Sequence, residues 1–399
     1  MTRNFRFDRL EFAGSLGDLG TLLPIALAMI LVNGLDPVGL FVSVGLFYVL
    51  AGLYYGVTVP VQPMKVIGAY AVATSMGASQ ILASSLLLGA VLLVIGATGA
   101  ITLVERYTPK PVIRGVQLAT GSLLMAGGIE FMLGKSAFQE LKGAAEPYLA
   151  LQALGPVPIG IVIGVLAGLG TLLLLDNRKF PAGLATVLGG LLLGLLLGAH
   201  TELAGVGIGL HLPEIMPFAL PGQADFTFAL FALVLPQLPM TLGNAVLAYT
   251  DLSRQYFGER SGRVSNRAVC VSMGLANGLS FLLGGMPMCH GAGGLAAHYR
   301  FGATTAGSNI MIGAIFVLLP LLFGGDLLSV LHLLPMAVLG VLLVFAGAQL
   351  ALTVQDLTER SDLFVAVLIL GITLASNLAA GFLAGIAAAY ILRWTGVRV

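Results

Sequence analysis

The sequence predicts an all-α polytopic membrane protein with about 14 transmembrane segments. Only 9% of its 399 residues are charged, whereas soluble domains carry about 25%. The mean hydropathy is +0.99. Apolar runs of about 18 or more residues, each long enough to cross ~30 Å of hydrocarbon, recur along the chain. A transmembrane barrel would instead show alternating strands of ~10 residues, and the sequence has no such pattern.

The apolar runs define approximate spans, two of which are too short to cross a bilayer alone. These are the third and the tenth, and each follows a Pro-Met pair. The final two spans are separated only by Ser376 and Asn377. The predicted spans are 14–32, 38–56, 64–75, 78–104, 112–132, 156–175, 181–198, 226–250, 264–283, 288–298, 305–323, 335–352, 362–377 and 378–394.

Basic residues indicate the orientation of these spans. If the N-terminus is cytoplasmic, Lys135 and Lys142 are the only basic residues in the predicted outside loops. The outside segment 200–225 has acidic residues but no Lys or Arg. This asymmetry predicts a multi-pass protein of the cytoplasmic membrane, embedded in the lipid bilayer, with both termini in the cytoplasm. The basic residues assigned to the inside are Arg3, Arg6, Arg9, Arg106, Lys110, Arg114, Arg178, Lys179, Arg254, Arg260, Arg263, Arg267, Arg300, Arg360, Arg393 and Arg398.

A weak internal repeat predicts two related halves of seven spans each. Pro63-Met64 matches Pro287-Met288, and "PVIRGVQL" from Pro111 resembles "PMAVLGVLL" from Pro335, both at an offset of 224 positions. Because seven is odd, the halves must insert in opposite orientations, which is a common plan in transporters. The alternative is chance similarity between Gly/Leu-rich segments.

The two short spans predict a binding site inside the membrane. In "VPVQPMKVIGAY" and "GGMPMCHGAGG" the prolines favour extended backbone, so each helix starts only after Pro63 or Pro287. About 11 residues of helix cover ~16 Å, half a bilayer. Non-helical backbone at that depth is tolerated only beside a protein-lined cavity. Two half-helices meeting at the midplane would present free N–H groups and positive dipole ends, which attract an anion.

Polar and backbone groups around these helix starts are the candidate site. Lys65 supplies positive charge or else is a snorkelling or internally paired lysine, and His290 is a ligand or a hydrogen-bonded interior histidine. Asp18 is a candidate for proton coupling, with capping or pairing near the interface as the equal alternative. The candidate substrate-binding residues are Gln62, Met64, Lys65, Val66, Gln237, Thr241, Asn244, Cys289, His290, Gly291, Ala292 and Gly293.

Other classes of function lack their signals. The net charge of +1 gives no indication of nucleic-acid binding. Cys270 and Cys289 lie in apolar surroundings without CxxC spacing, so neither a disulfide framework nor a metal site is expected. No Walker pattern, paired carboxylates or HExxH spacing is present, which argues against an enzyme, and no cofactor is expected.

The segments "GSLGDLGTLLPIALA", "PVQPMKVIGAY", "PQLPMTLGNAVLAYTDLS" and "PMCHGAGGLAAHYRFGA" resemble the molybdate transporter family, which is related to the sulfate permeases. The resemblance covers both halves and implies molybdate uptake and a homodimer. It also implies a fold of two inverted sets of seven spans, with a core and a gate domain. The domains are then 1–132 (core spans one to four and gate span five), 133–200 (gate spans six and seven), 201–225 (extracellular loop), 226–323 (core spans eight to eleven) and 324–399 (gate spans twelve to fourteen).

The sequence therefore predicts a secondary carrier for a tetrahedral oxyanion, with molybdate as the first candidate. A negative-inside potential opposes entry of an anion by ~2.3 kcal/mol per charge per 100 mV, which favours proton symport. Sulfate, or a nucleobase carried by the same fold class, is a rival substrate. An anion channel is the rival from another functional class.

Overall fold

The computed structural model describes residues 5–101, 109–175, 177, 181–199, 203 and 205–395. It is built almost entirely of helices, with four two-residue strands in two short pairs among these residues. Some residues used for the orientation lie outside the described part: Arg3, Arg106, Arg178, Lys179, Glu202 and Arg398.

The first half contains nine helices in the described residues. Two strand pairs involve this half: β1 (Gln62–Pro63), and β2 (Ala153–Leu154) with β3 (Val157–Pro158). The helices are α1 (Arg9–Ser15), α2 (Leu19–Leu31), α3 (Pro37–Tyr55), α4 (Lys65–Ala73), α5 (Ala78–Thr98), α6 (Lys110–Leu133), α7 (Ala137–Lys142), α8 (Ile159–Leu174) and α9 (Ala182–Leu196).

The second half begins with α10, a helical stretch of 39 residues from Gln223 to Ser261. Two parts of α10 are π-helical, Ala229–Val234 and Thr241–Ala248. The remaining elements are α11 (Asn266–Leu282), β4 (Met288–Cys289), α12 (Ala292–Arg300), α13 (Ala306–Phe323), α14 (Leu327–Leu331), α15 (Met336–Ala351), α16 (Arg360–Ala375) and α17 (Leu378–Thr395).

Seven helices in the described residues are long and apolar enough to cross a membrane, and three further apolar helices are shorter. Three of the predicted spans differ most from the structure. The first is divided into α1 and α2, and the eighth, 226–250, lies within the longer α10. The tenth begins at Ala292 rather than at residue 288, because Met288 and Cys289 form a strand.

Close packing against α12 explains the break between α1 and α2. A Cβ placed on Gly17 would lie 2.9 Å from the Ala297 carbonyl oxygen and 2.9 Å from the Phe301 ring. The helix is interrupted at this contact, and Asp18 is the N-cap residue of α2. An unbroken helix from residue 14 was the wrong prediction because apolarity alone does not reveal such a tertiary contact.

Glycines allow the long helices to approach closely. Helix α6 packs against α15, and a Cβ on Gly128 would lie 2.5 Å from the Gly340 carbonyl oxygen. A Cβ on Gly121 would lie equally close, at 2.5 Å, to the Gly347 carbonyl oxygen. Small residues serve this purpose in membrane helices, where close van der Waals packing contributes strongly to association.

The two broken segments meet as a short antiparallel strand pair. Pro63 lies opposite Met288, and the Met64 N–H donates to the Pro287 carbonyl at 2.9 Å. The Asn277 side chain of α11 makes two hydrogen bonds to the Met288 backbone: it accepts from the N–H at 3.0 Å and donates to the carbonyl at 2.8 Å. Asn309 of α13 does the same for Val59, at 2.9 and 2.7 Å. Side chains thus satisfy the buried backbone polar groups that no helix pairs.

A buried carboxylate from a distant loop caps α15. Glu146 is 1% exposed and accepts from the N–H groups of Met336 and Ala337, both at 2.8 Å. Burial raises the pKa of Glu146 from 4.5 to about 7, although the two backbone donors oppose the shift. The folded protein therefore holds a proton on this group more tightly than the unfolded chain.

Replacing Glu146 with Gln is expected to flatten the pH dependence of thermal stability. The raised pKa of Glu146 stabilises the folded protein at low pH. This contribution to the free energy of unfolding is lost as the pH rises from 4.5 through about 7. Thermal unfolding in detergent, compared at about pH 5 and about pH 8, measures this difference. The matched control is Glu140→Gln at an exposed position. An unaltered pH dependence in Glu146→Gln would show that this carboxyl does not titrate as described.

Candidate functional site

One cavity of about 510 Å³ lies beside the ends of both short helices. Its lining residues come from α2, β1, α4, α6, α8, α9, α10, α12 and α15. Among the predicted site residues, five line the cavity: Asp18, Gln62, Lys65, Asn244 and Gly293.

Lys65 is the first residue of α4 and lines the cavity. It makes no ion pair within 4.0 Å in the described part of the chain, although it interacts electrostatically with Asp18. It is partly buried, so its positive charge acts in a site with limited access to solvent. Such a charge attracts an anion more strongly than an exposed lysine does.

The N-terminus of α4 is already capped by a side chain. Gln237 of α10 is 1% exposed, and its Oε1 accepts from the N–H groups of Val66 at 2.9 Å and Ile67 at 3.3 Å. Its Nε2 donates to Thr241 Oγ1 at 2.9 Å. The Val66 N–H, which was predicted to contact an anion, is therefore occupied in this conformation, and Gln237 acts on the backbone of α4.

The N-terminus of α12, by contrast, is open to the cavity. Gly291 is its N-cap and has no side-chain cap. The first-turn N–H groups, including those of Gly293 and Gly294, have no acceptor inside the helix. Gly293 lines the cavity, and a Cβ placed on it would meet nothing within 4 Å. This helix end can therefore present backbone donors and its positive dipole end to an anion.

Asp18 and Gln62 form a buried pair directly beside this helix end. Gln62 Nε2 donates to Asp18 Oδ1 at 2.7 Å. Among the residues that the structure describes, Asp18 Oδ2 and Gln62 Oε1 have no hydrogen-bond partner. A Cβ on Gly294 would lie 2.5 Å from Asp18 Oδ2. Glycine is thus required at position 294 for the carboxylate to approach the start of α12. Unpaired buried oxygens of this kind are costly, so a proton, a water molecule or a ligand is expected to satisfy them.

The His290 ring lies away from the cavity, within the protein interior. It is fully buried, and its Nδ1 bonds to the Pro60 carbonyl at 2.8 Å and its Nε2 to Ser272 Oγ at 3.2 Å. The ring centroids of Phe47 and Tyr249 lie 4.7 and 5.3 Å from the centroid of the His290 ring. Both ring nitrogens are used, so direct contact between this side chain and a substrate does not fit this conformation. The interior-histidine alternative describes its environment.

The other predicted residues surround the site without lining its cavity. Met64 is fully buried, and its N–H belongs to the strand pair. Cys289 is 6% exposed, and its Sγ contacts the Pro63 carbonyl oxygen at 3.8 Å. The predicted residues that do not line the cavity are Met64, Val66, Gln237, Thr241, Cys289, His290, Gly291 and Ala292.

The cavity is also lined by polar residues that are not among the predicted substrate-binding residues. Arg114 of α6 lines it and pairs with Asp356, to which its Nε donates at 2.9 Å, while its Nη1 donates to Gln117 at 2.9 Å. Arg300, at the end of α12, also lines the cavity. In the sequence, Arg114 and Gln117 are three positions apart near the start of a helix, so they lie on one helix face. This spacing could have indicated a polar cluster there.

The geometry suits a small anion better than a metal ion. Within the described residues, no group of three or more His, Cys, Asp or Glu could hold a metal. Cavity-lining cations outnumber carboxylates, with Lys65, Arg114 and Arg300 against Asp18. A cavity that combines cations, backbone donors and neutral amides can bind an oxyanion.

Comparison with known proteins shows the family of this chain. A family model described as "Molybdate transporter of MFS superfamily" matches residues 10–124 and 229–350. Molybdate transporter 1 of Arabidopsis thaliana is 31% identical and covers 98% of this chain and 89% of its own length. Molybdate transporter 2 of the same plant is 32% identical over 96% of this chain and 87% of its own. The transmembrane domain of the cyanobacterial bicarbonate transporter BicA has a similar fold, with a TM-score of 0.65, 17% identity, and coverage of 97% of this chain and 98% of the other.

Proposed function

Because the chain belongs to the molybdate transporter family, we propose that it is a secondary carrier that imports molybdate across the cytoplasmic membrane. The observation that carries the proposal is the single cavity in which Lys65 and the open N-terminus of α12 lie together. A tetrahedral oxyanion needs a cation and several convergent donors, and this cavity offers both.

In the proposed complex, the Lys65 ammonium and the first-turn N–H groups of α12 hold the oxyanion. Asn244 adds a neutral amide to the same cavity. Gln237 keeps the α4 backbone in place rather than contacting substrate, since its oxygen already accepts two N–H groups. Neutral donors and fixed helix dipoles stabilise a divalent anion without requiring full neutralisation by cations.

Asp18 is the proposed proton-coupling residue. An ionised Asp18 would place a second negative charge beside the oxyanion, and like charges in a partly buried site repel strongly. A protonated Asp18 removes this repulsion and carries one positive charge inward with the substrate. The proton offsets ~2.3 kcal/mol per 100 mV of the electrical cost of anion entry.

Alternating access would come from two inverted repeats of seven segments. In this repeat, α3 corresponds to α11 and α5 corresponds to α13. The packing of α3 on α13 then has its counterpart in the packing of α11 on α5. Helix α6 likewise corresponds to α15, and these two helices pack on each other. In this proposal, the core carrying α4 and α12 moves against the gate helices that also line the cavity. The homodimer remains a family-level expectation.

Replacing Gln237 with Glu is expected to weaken molybdate binding by at least ~10-fold, about 1.4 kcal/mol. The carboxylate would retain the acceptor for Val66 and Ile67 but place a negative charge at the α4 N-terminus. That charge would reduce the positive potential around Lys65. Titration calorimetry on purified protein measures the affinity.

Thr241→Val is the control for this experiment, because it removes the partner of Gln237 Nε2 and leaves the α4 cap uncharged. Its affinity is expected to change far less than that of Gln237→Glu. Equal affinity in Gln237→Glu and the unmodified protein would contradict the electrostatic link between this cap and the substrate.

Uptake into proteoliposomes tests the transport proposal as a whole. Saturable molybdate uptake that increases with an inward proton gradient is expected. Uptake that rises linearly with concentration without saturation would favour the channel. Competition by tungstate and sulfate in calorimetry separates a molybdate carrier from a sulfate carrier of the same fold.

A further inference from the structure

The segment 206–220, which connects the first half of the chain to α10, carries large apolar side chains on its outer surface. Ile208, Leu210 and Leu212 are 78%, 78% and 74% exposed, and Ile215 and Leu220 are 77% and 69% exposed. The segment has no helix or strand and no Lys or Arg. A connection in water is typically polar, so this composition requires another explanation.

The segment is attached to the ends of two membrane helices at several points. The N–H groups of Gly209 and His211 donate to the carbonyls of Leu322 and Leu321 in α13, at 3.0 and 2.8 Å. The Met216 N–H donates to the Leu282 carbonyl, the last residue of α11, at 2.7 Å. These bonds fix which side of the segment faces the protein.

Glycines provide the space for this attachment. Gly284 has a φ of +70°, and a Cβ placed on it would lie 2.5 Å from Pro217 Cγ. Gly324, with a φ of +53°, lies against the His211 ring, leaving no room for a side chain. The Gly207 N–H also donates to Asp326 Oδ2 at 3.0 Å. The segment is therefore docked along its length, and its outward apolar side chains are held in that position.

Most of the large exposed side chains in this segment are apolar. Gly209 and His211 donate their N–H groups to α13, while the side chains of Ile208, Leu210 and Leu212 stay exposed. His211 and Glu214 are the exposed polar residues among them. The carbonyls of Leu322 and Leu282, which accept N–H groups of this segment, belong to residues that are themselves 42% and 44% exposed.

We propose that residues 206–220 form a lipid-seated belt at one face of the membrane rather than a loop in water. The partner is the lipid bilayer, at the depth of the boundary between headgroups and acyl chains. The lipid-facing surface of α13, a span long and apolar enough to cross the membrane, continues into the belt. Water at the headgroup level can satisfy the belt N–H groups that α13 does not accept, which would be costly deeper in hydrocarbon. The inference does not depend on which substrate the protein carries.

Single-cysteine spin labels at Leu210 and Leu212 test the belt in proteoliposomes containing the full chain. Both labels are expected to be more accessible to oxygen, which concentrates in lipid, than to a water-soluble nickel chelate. Glu214→Cys, an exposed position in the same segment, is the matched control and should show the opposite preference. The native Cys270 and Cys289 are 1% and 6% exposed, and labelling of the unmodified protein gives their background.

Two results would overturn the belt. Labels at positions 210 and 212 that prefer the nickel chelate would show a loop in water. Labels shielded from both reagents would show coverage by protein, such as a second copy of the chain. A second variant gives an independent measurement: Leu210→Trp in a Trp394→Phe background should be quenched by brominated lipid more than by acrylamide, and the reverse order contradicts the proposal.

Discussion

Lys65→Ala is expected to weaken molybdate binding by about 100-fold, or ~2.8 kcal/mol. Removing one partner from a buried, hydrogen-bonded charge pair costs roughly 2 to 5 kcal/mol. Lys65 is the cation at the start of α4 and has no carboxylate within 4.0 Å in the described residues, so its charge is available to a ligand. Titration calorimetry in detergent measures the change in affinity.

Lys135→Ala is the matched control for Lys65, because it makes the same chemical change at an exposed residue outside the cavity. Its affinity for molybdate should equal that of the unmodified protein. If Lys65→Ala folds normally and also retains full affinity, the substrate is not held by this cation, and the proposed site must lie elsewhere.

Gly293→Val is expected to abolish measurable uptake, with a loss of at least ~100-fold, while the fold is retained. A Cβ at position 293 meets nothing within 4 Å, so the added side chain extends into the cavity instead of clashing with the protein. It would cover the open N–H groups of α12 and occupy the space of the oxyanion. Valine is also no worse than glycine in a helix, so α12 should remain intact.

Gly278→Val provides the comparison for Gly293, since a Cβ there also meets nothing within 4 Å, but the residue lies on α11 and does not line the cavity. Uptake should be close to normal in this variant. Thermal unfolding of both variants tests whether they are folded. Normal uptake by a folded Gly293→Val protein would be incompatible with substrate binding at the α12 N-terminus.

The helical membrane architecture was predictable from the sequence because apolarity over the length of a span is a local property. The predicted third span, 64–75, agrees with α4 within a few residues, since Pro63 ends the extended segment just before it. The predicted tenth span began four residues too early. Met288 and Cys289 pair with β1, and a pairing partner more than 200 positions away leaves no periodic signal.

The candidate site was predictable only in part, and the reason is physical. Asp18, Gln62, Lys65, Asn244 and Gly293 were selected as polar or small residues near helix starts or within the eighth span, and all line the cavity. Side-chain direction and hydrogen-bond partners depend on tertiary structure. For this reason, the capping role of Gln237 could not be predicted, and the sequence could not decide between the two alternatives for His290.

The position of molybdenum in crystals of the protein grown with molybdate, measured by anomalous scattering at the molybdenum edge, tests the proposed binding site most directly. One strong peak is expected within contact distance of the Lys65 ammonium and the backbone N–H groups at the start of α12. A peak at another place in the protein, with none in this cavity, would contradict the proposed site.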